Sequence, residues 1–260
     1  MDKEYIKRLA EDPRFIPGVY NYCDRWCERC PLTSRCMNFA LSEEQFDDPQ
    51  SRDINNEAFW QKLSEMFQVT LEMVKETAKE QGIDLDSLDL QQAGQEHEEI
   101  RNTAENHECC RTAKAYAEMV KKWFDSSRDL FDEKADDLGL QARLELPNSD
   151  PAAEAASLKD AVDIIRWYQH FIYVKLVRAI TGSLEEVPLS LDEFPKDSDG
   201  SAKIALIAID RSIAAWGQIS AHFPRYKDNI LDILVHLDRL RMKTEFLFPD
   251  ARASIRPGFD

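Results

Sequence analysis

Hydrophobic positions follow helical spacing over most of this chain. Between Asn56 and Gln81, apolar side chains recur at steps of three and four residues, which predicts one apolar face along a helix. A longer second helix is predicted from about Gln95 to Leu138. Because that length exceeds the usual globular helix, we expect a break near residues 125–127.

Three more helices follow in the second half of the chain. Asp150 can cap the free amides of a third helix and Pro151 suits its first position, so this helix begins there and runs to about Gly182. It is apolar on more than one side, which predicts a central place in the fold. The fourth and fifth helices are predicted over residues 201–222 and 226–248.

The overall pattern predicts an all-α fold, a bundle of about five long helices. No segment alternates apolar and polar residues in the manner of a strand, and no internal repeat recurs at a fixed period. The first 50 residues lack helical periodicity and hold four of the six cysteines. We therefore predict an N-terminal cysteine-cluster segment at 1–50 and a helical bundle with an irregular C-terminal tail at 51–260.

The charge of the chain narrows the function classes. Asp and Glu number 49 against 33 Lys and Arg, so the net charge of −16 disfavours binding to nucleic-acid phosphates. No apolar run approaches the ~20 residues of a membrane-spanning helix, and the first residues lack the apolar core of a secretory signal. We therefore expect an acidic, cytoplasmic protein that binds neither membrane nor nucleic acid, with a protein partner left open.

Cysteines supply the strongest chemical signal. Cys23, Cys27, Cys30 and Cys36, the motif cysteines, follow the spacing C-x3-C-x2-C-x5-C. Four thiolates within 14 residues can converge on one small object, either a tetrahedral zinc ion or an iron–sulfur cluster. Disulfides are disfavoured in a reducing cytosol, and unliganded reduced thiols are the remaining alternative.

Two features favour an iron–sulfur cluster over zinc as the cofactor. Structural zinc sites usually pair two short cysteine knuckles across a longer spacer, and that spacer is missing here. Compact cubane motifs carry a proline after a ligating cysteine, as Cys30-Pro31 does. Nearby aromatic residues, among them Trp26 and Phe39, could form an apolar wall around the centre.

The first three motif cysteines match, letter for letter, the three-cysteine signature of the radical S-adenosylmethionine enzymes. The resemblance covers the eight residues from Cys23 to Cys30, and it implies a βα barrel and a cluster with one open iron site. This chain departs from both implications, because no alternating strands follow the motif and Cys36 offers a fourth ligand.

Titratable residues on the predicted helices are weaker candidates for a catalytic site. His107 falls on the apolar stripe of the second helix, and Asp163, Arg166 and His170 lie at helical spacings on the third. One interpretation is a polar pocket inside the bundle, with His170 as proton carrier or ligand. The alternative is an Asp163–Arg166 ion pair, with the histidines satisfied at helix interfaces. The chain contains no Glu-x-x-His sequence, which disfavours a carboxylate-bridged di-metal site.

Two function hypotheses follow from the cysteine motif. The first is a metal-binding protein of redox or sensing type, in which the helices shield an iron–sulfur cluster. The second is a zinc-stapled helical interaction or scaffold protein without catalysis, in which the metal ties down a segment that has no core of its own. The sequence leaves open whether the chain catalyses any reaction.

Overall fold

The fold is built from helices alone in the part of the chain that the structure describes. The computed structural model describes residues 3–87, 89–144, 149–185 and 196–260. It is 80% helical, and the described residues form ten α-helices and no strand. The all-α prediction is therefore confirmed.

The helices are short near the motif cysteines and long in the rest of the chain. They are α1 Lys3–Ala10, α2 Met37–Gln45, α3 Pro49–Arg52, α4 Glu57–Glu80, α5 Leu90–Asn106, α6 Glu108–Ser126, α7 Arg128–Leu144, α8 Pro151–Leu184, α9 Asp197–His222 and α10 Lys227–Leu247. Single turns of 3-10 helix lie between them at Cys27–Arg29, Thr33–Arg35, Leu85–Ser87 and Pro224–Tyr226, and another follows α10 at Ala251–Ala253.

The predicted second helix, with its expected break near residues 125–127, is three helices, α5, α6 and α7, and the prediction missed the break at His107. α5 ends before His107 because that residue leaves the helical conformation, with φ −63° and ψ 148°. Its Nδ1 accepts a hydrogen bond from the backbone N–H of Cys109 at 3.2 Å, which caps the first turn of α6. The break expected near residues 125–127 lies at Ser127, between α6 and α7.

The other helices begin and end close to the residues that the sequence predicts. α8 begins at Pro151, where the Asp150 carboxylate accepts a hydrogen bond from the N–H of Ala153 at 2.9 Å. α9 begins at Asp197, ahead of the predicted start at residue 201. Most of the loop predicted between these two helices lies outside the described residues.

Contacts between residues divide the chain into two compact units. The cysteine unit comprises Met1–Glu96 and Arg256–Asp260, and the bundle unit comprises His97–Ile255. The boundary after Glu96 falls within α5. The boundary after Ile255 assigns Arg256–Asp260 to the same unit as the motif cysteines. The predicted division of the chain after residue 50 stays a prediction.

The cysteine unit buries few apolar side chains. Among the described residues, Val19 and Ala78 are its buried hydrophobic residues, whereas all the others belong to the bundle unit. α1 and α4 are joined by ion pairs of Lys3 and Lys7 with Glu76. Because such surface pairs contribute about 0–1 kcal/mol each, they do not replace a hydrophobic core.

The apolar face of α4 is exposed. Trp60, Phe67, Leu71 and Val74 lie at helical spacing and are between 52% and 66% exposed, and Ala78 is the buried residue of this helix. The sequence pattern identifies which residues share this face. It does not say whether another element covers them, since periodicity carries no information about neighbours.

α8 is the central helix of the bundle unit, as its apolar pattern predicts. It packs most extensively against α9 and also against α6 and α7, and α10 packs against α6 and α9. Side chains such as Ile165, Ile172, Leu206, Ile209 and Leu237 are wholly excluded from solvent there. Their burial supplies most of the hydrophobic stabilisation of the chain.

A hydrogen-bonded aromatic pair lies inside the bundle unit. The Nε1–H of Trp216 donates to the hydroxyl of Tyr116 at 3.1 Å, and both side chains are fully buried. Trp123 packs edge-on against Trp216, with ring centroids 5.0 Å apart. Burial raises the pKa of Tyr116 to about 12. The phenol therefore stays neutral at physiological pH and serves as the acceptor for the indole.

The change Tyr116→Phe tests this buried pair. Without the hydroxyl, the Trp216 N–H loses its acceptor, so we expect the free energy of unfolding near neutral pH to fall by about 1–3 kcal/mol. The unfolded tyrosine ionises near pH ~10 and the folded one at about 12, so the wild type loses stability as pH rises between these values, by about 1.4 kcal/mol per pH unit. The variant lacks this loss, so the difference in the free energy of unfolding between wild type and variant narrows above pH ~10.

Urea unfolding at neutral and alkaline pH measures both effects. Tyr226→Phe is the matched control, because Tyr226 is 38% exposed and its removal leaves the core intact. A stability difference between wild type and Tyr116→Phe that stays constant up to pH ~12 contradicts the assignment.

Candidate metal centre

Short turns bring the motif cysteines together. The carbonyl of Cys27 accepts a hydrogen bond from the N–H of Cys30 at 3.1 Å, which closes the first 3-10 turn. The N–H of Cys36 closes the second turn by donating to the carbonyl of Thr33 at 3.2 Å. The backbone therefore folds back on itself twice within the motif.

Between the first two motif cysteines the backbone takes a strained conformation. Arg25 has a φ of 58°, in the left-handed region that costs a non-glycine residue about 1–2 kcal/mol. The Trp26 N–H donates to the Asp24 carboxylate at 3.2 Å, and this bond holds the backbone of the turn at Trp26. Strain of this kind persists where the surroundings hold it and is frequent at binding sites.

All four motif cysteines line one cavity. Its wall is otherwise mainly apolar and aromatic, formed by Val19, Tyr20, Trp26, Leu32, Phe39 and Phe259. Each motif cysteine is partly buried. The thiols therefore face a common space that apolar side chains partly shield from water.

Backbone amides point at two of the sulfurs. The Leu32 N–H donates to the Cys30 Sγ, and the Phe39 N–H donates to the Cys36 Sγ, both at 3.4 Å. The second bond caps the first turn of α2. Hydrogen bonds of this type stabilise negative charge on a ligand sulfur, so the backbone is arranged to support thiolates at these positions.

Electrostatics at the cavity disfavour the Cys27 thiolate when no cation is present. Burial raises the pKa of the Cys27 thiol, and the other three motif cysteines raise it further by charge repulsion. A metal cation reverses this effect, because it stabilises the thiolate and its binding releases protons. The ligand chemistry of this cluster therefore fits a metal centre.

The thiols do not enclose the position of one ion. Within the described part of the chain, no group of three or more His, Cys, Asp or Glu side chains is arranged so that it could hold a metal ion. The cavity itself has a volume of about 20 Å³, room for about one water molecule. A bound centre would therefore require the thiols to turn about their side-chain bonds, and their partial exposure leaves room for this.

The second segment of the cysteine unit, Arg256–Asp260, completes the cavity wall. Phe259 lines the cavity, and Gly258 before it has a φ of 78°. A Cβ built at Gly258 would lie 2.7 Å from the Ile16 side chain, so glycine suits both the conformation and the close approach. An ion pair of 2.8 Å joins Arg256 to Asp260. Sequence spacing gives no sign of this contribution, because Phe259 lies far along the chain from the cysteines.

Comparison with protein-family models, with curated proteins and with solved structures finds no match to this chain. The residues of this chain are therefore the ground for any proposal about its function. No helix in the described residues is both long enough and apolar enough to cross a membrane.

The four weaker candidates for a catalytic site lie in different environments. His107 caps α6, and Asp163 accepts a hydrogen bond from Lys159 at 2.6 Å. The guanidinium of Arg166 lies over the ring of Phe124, 5.0 Å from its centroid. His170 is exposed on α8. Arg166 lines a cavity of the bundle unit, whereas His107, Asp163 and His170 are not among the described residues that line it.

The change Phe259→Ala tests the role of the second segment as a cover. We expect the loss of about 1 kcal/mol of local burial to raise the rate of alkylation of the motif thiols about fivefold in metal-free protein. Mass spectrometry after timed treatment with N-ethylmaleimide gives the rate at each cysteine. Phe246→Ala is the control, since Phe246 is 90% exposed on α10. Equal rates in the two variants would show that Phe259 does not shield the thiols.

Proposed function

We propose that the motif cysteines bind an iron–sulfur cluster and that the protein has a redox or sensing function in the cytoplasm. The observation that carries the proposal is that four thiols line one cavity in a unit with little hydrophobic core. Four thiolates are the usual protein ligands of such clusters. Metal binding would also supply folding free energy that the cysteine unit does not obtain from burial.

Ligand spacing along the chain favours a cluster over a single ion. Structural zinc sites usually pair two short cysteine knuckles across a longer spacer, and the motif lacks that spacer. Compact cubane motifs carry a proline after a ligating cysteine, as Cys30-Pro31 does.

The chain offers groups that would tune a cluster. When bound, a cluster supplies one-electron transfer. The N–H groups of Leu32 and Phe39 already donate to two motif sulfurs, and such bonds favour the more negative, reduced state. The Arg29 guanidinium stacks over Trp26, 4.0 Å from its ring centroid, and so brings a cation to the cavity wall. The apolar wall limits the access of water and thereby influences the reduction potential.

A zinc-stapled interaction protein is the second candidate function. The exposed apolar face of α4 favours it, because Trp60, Phe67, Leu71 and Val74 form a stripe in the same unit as the motif cysteines. Stripes of this kind bind the apolar face of a partner helix. In this alternative, the metal would hold the unit in shape and the partner would cover α4.

Metal and sulfide analysis separates the two candidates. On protein purified without oxygen, we expect iron, acid-labile sulfide and a broad visible absorption, because only a cluster contains all three. Alanine at any one of the motif cysteines should remove most of the colour and iron. Cys109→Ala is the matched control, since Cys109 is buried in α6 of the bundle unit and should leave both unchanged.

Any other outcome of the metal and sulfide analysis contradicts the proposed iron–sulfur cluster. One zinc per chain without colour would support the zinc-stapled alternative, and neither metal would return the motif cysteines to plain reduced thiols. Loss of iron in Cys109→Ala equal to that in Cys27→Ala would show that the metal is not held by the motif.

Removal of the metal should unfold one unit and spare the other. We expect chelation to abolish hydrogen-exchange protection at the turns Cys27–Arg29 and Thr33–Arg35, because the cysteine unit buries few apolar side chains. Amides of α8 and α9 should keep their protection, since their core does not involve the motif. Unchanged protection at both turns would contradict a structural role for the metal.

A further inference from the structure

The bundle unit contains a second cavity that is far larger than the first. It lies among α6, α7 and α8 and has a volume of about 410 Å³. Ligand sites in proteins typically measure ~300–1,000 Å³, so this space is large enough for a small organic molecule. Nothing in the proposed metal chemistry uses it.

The cavity wall is apolar. It includes Phe124, Phe131, Leu138, Leu158 and Val162, and the two phenyl rings stack at a centroid distance of 5.9 Å and an angle of 23°. The polar side chains of the described lining are its three cations. Because no neutral hydrogen-bonding side chain is among the described residues of the lining, the wall suits a hydrocarbon body rather than a sugar or a nucleobase.

The charged residues at this cavity are all cations, although the chain carries a net charge of −16. Lys134, Lys159 and Arg166 line it, and no Asp or Glu of the described residues does. The two lysines pair with carboxylates that are not among the lining residues. Lys134 pairs with Glu154 at 2.5 Å, and Lys159 pairs with Asp163 at 2.6 Å. Two of the three positive charges are thereby compensated.

Arg166 is the cation left to meet a ligand. Its guanidinium stacks over the Phe124 ring, which is itself part of the wall, and it has no carboxylate partner among the described residues. Stacking leaves the planar N–H fork available, and this fork matches a carboxylate by two parallel hydrogen bonds. One uncompensated positive charge corresponds to one monovalent anion.

We propose that this cavity binds a medium-chain fatty acid, with the hydrocarbon chain against the apolar wall and the carboxylate on Arg166. Apolar burial supplies the affinity, and the guanidinium selects the anion over uncharged amphiphiles of the same length. Arg166, a catalytic candidate in the sequence, lines this cavity and is exposed to solvent.

Dodecanoate and dodecanol form the matched pair of probes. Isothermal titration calorimetry of the full chain should show one saturable site for dodecanoate, at least about tenfold tighter than for dodecanol. Arg166→Gln should weaken dodecanoate about tenfold and leave dodecanol within about twofold of wild type. Arg128→Gln is the charge-matched control, because Arg128 lies on α7 outside the lining and is 79% exposed.

A second variant tests the cavity itself. Ala155→Phe places a ring in the space and should abolish binding of both probes, whereas Ala156→Phe, its exposed neighbour outside the lining, should not. Both alanines are exposed on α8, so circular dichroism and thermal unfolding should show folded protein in each case.

Three results would overturn the proposal. They are the absence of saturable dodecanoate binding to the wild type, full binding by folded Ala155→Phe, and equal losses in Arg166→Gln and Arg128→Gln. The last result would mean that dodecanoate responds to the overall charge of the surface rather than to one guanidinium.

Discussion

The hydrophobic core of this protein belongs almost entirely to one of its two units. α8 and α9 bury their apolar faces against each other and against α6, α7 and α10, and this burial stabilises the bundle unit. The cysteine unit has two buried hydrophobic residues among those described, Val19 and Ala78. Since fixing a backbone costs about 1–2 kcal/mol per residue, a unit with so little burial depends on another source of stabilisation.

Under the proposed function, a centre bound by the motif cysteines would be that source, and the same residues would give the unit its chemistry. Their spacing and two 3-10 turns bring four thiols to one cavity, where backbone amides already donate to two of the sulfurs. A centre bound there would couple folding to metal occupancy. This coupling is suited to sensing, because loss of the centre would change the structure of the unit as well as its redox chemistry.

The bundle unit combines tight packing in one region with an open space in another. Tyr116 and Trp216 are fully enclosed, and the Trp216 N–H donates to the Tyr116 hydroxyl. Between α7 and α8 the lining includes Ala135 and Ala155, whose short side chains leave a gap that the aromatic rings do not fill. Three cations line this gap and two of them pair with carboxylates, so Arg166 is the charge that the proposed ligand would meet.

The sequence by itself determined what depends on local spacing. Helical periodicity gave the all-α class, Asp150 gave the start of α8, and the short intervals between the motif cysteines kept them close. The tertiary structure alone decided the rest. His107 broke a helix because its side chain caps the next one, the apolar face of α4 stayed exposed, and Phe259 joined the cysteine cavity from far along the chain. Each of these outcomes depends on which surfaces meet, and spacing along a chain does not encode that.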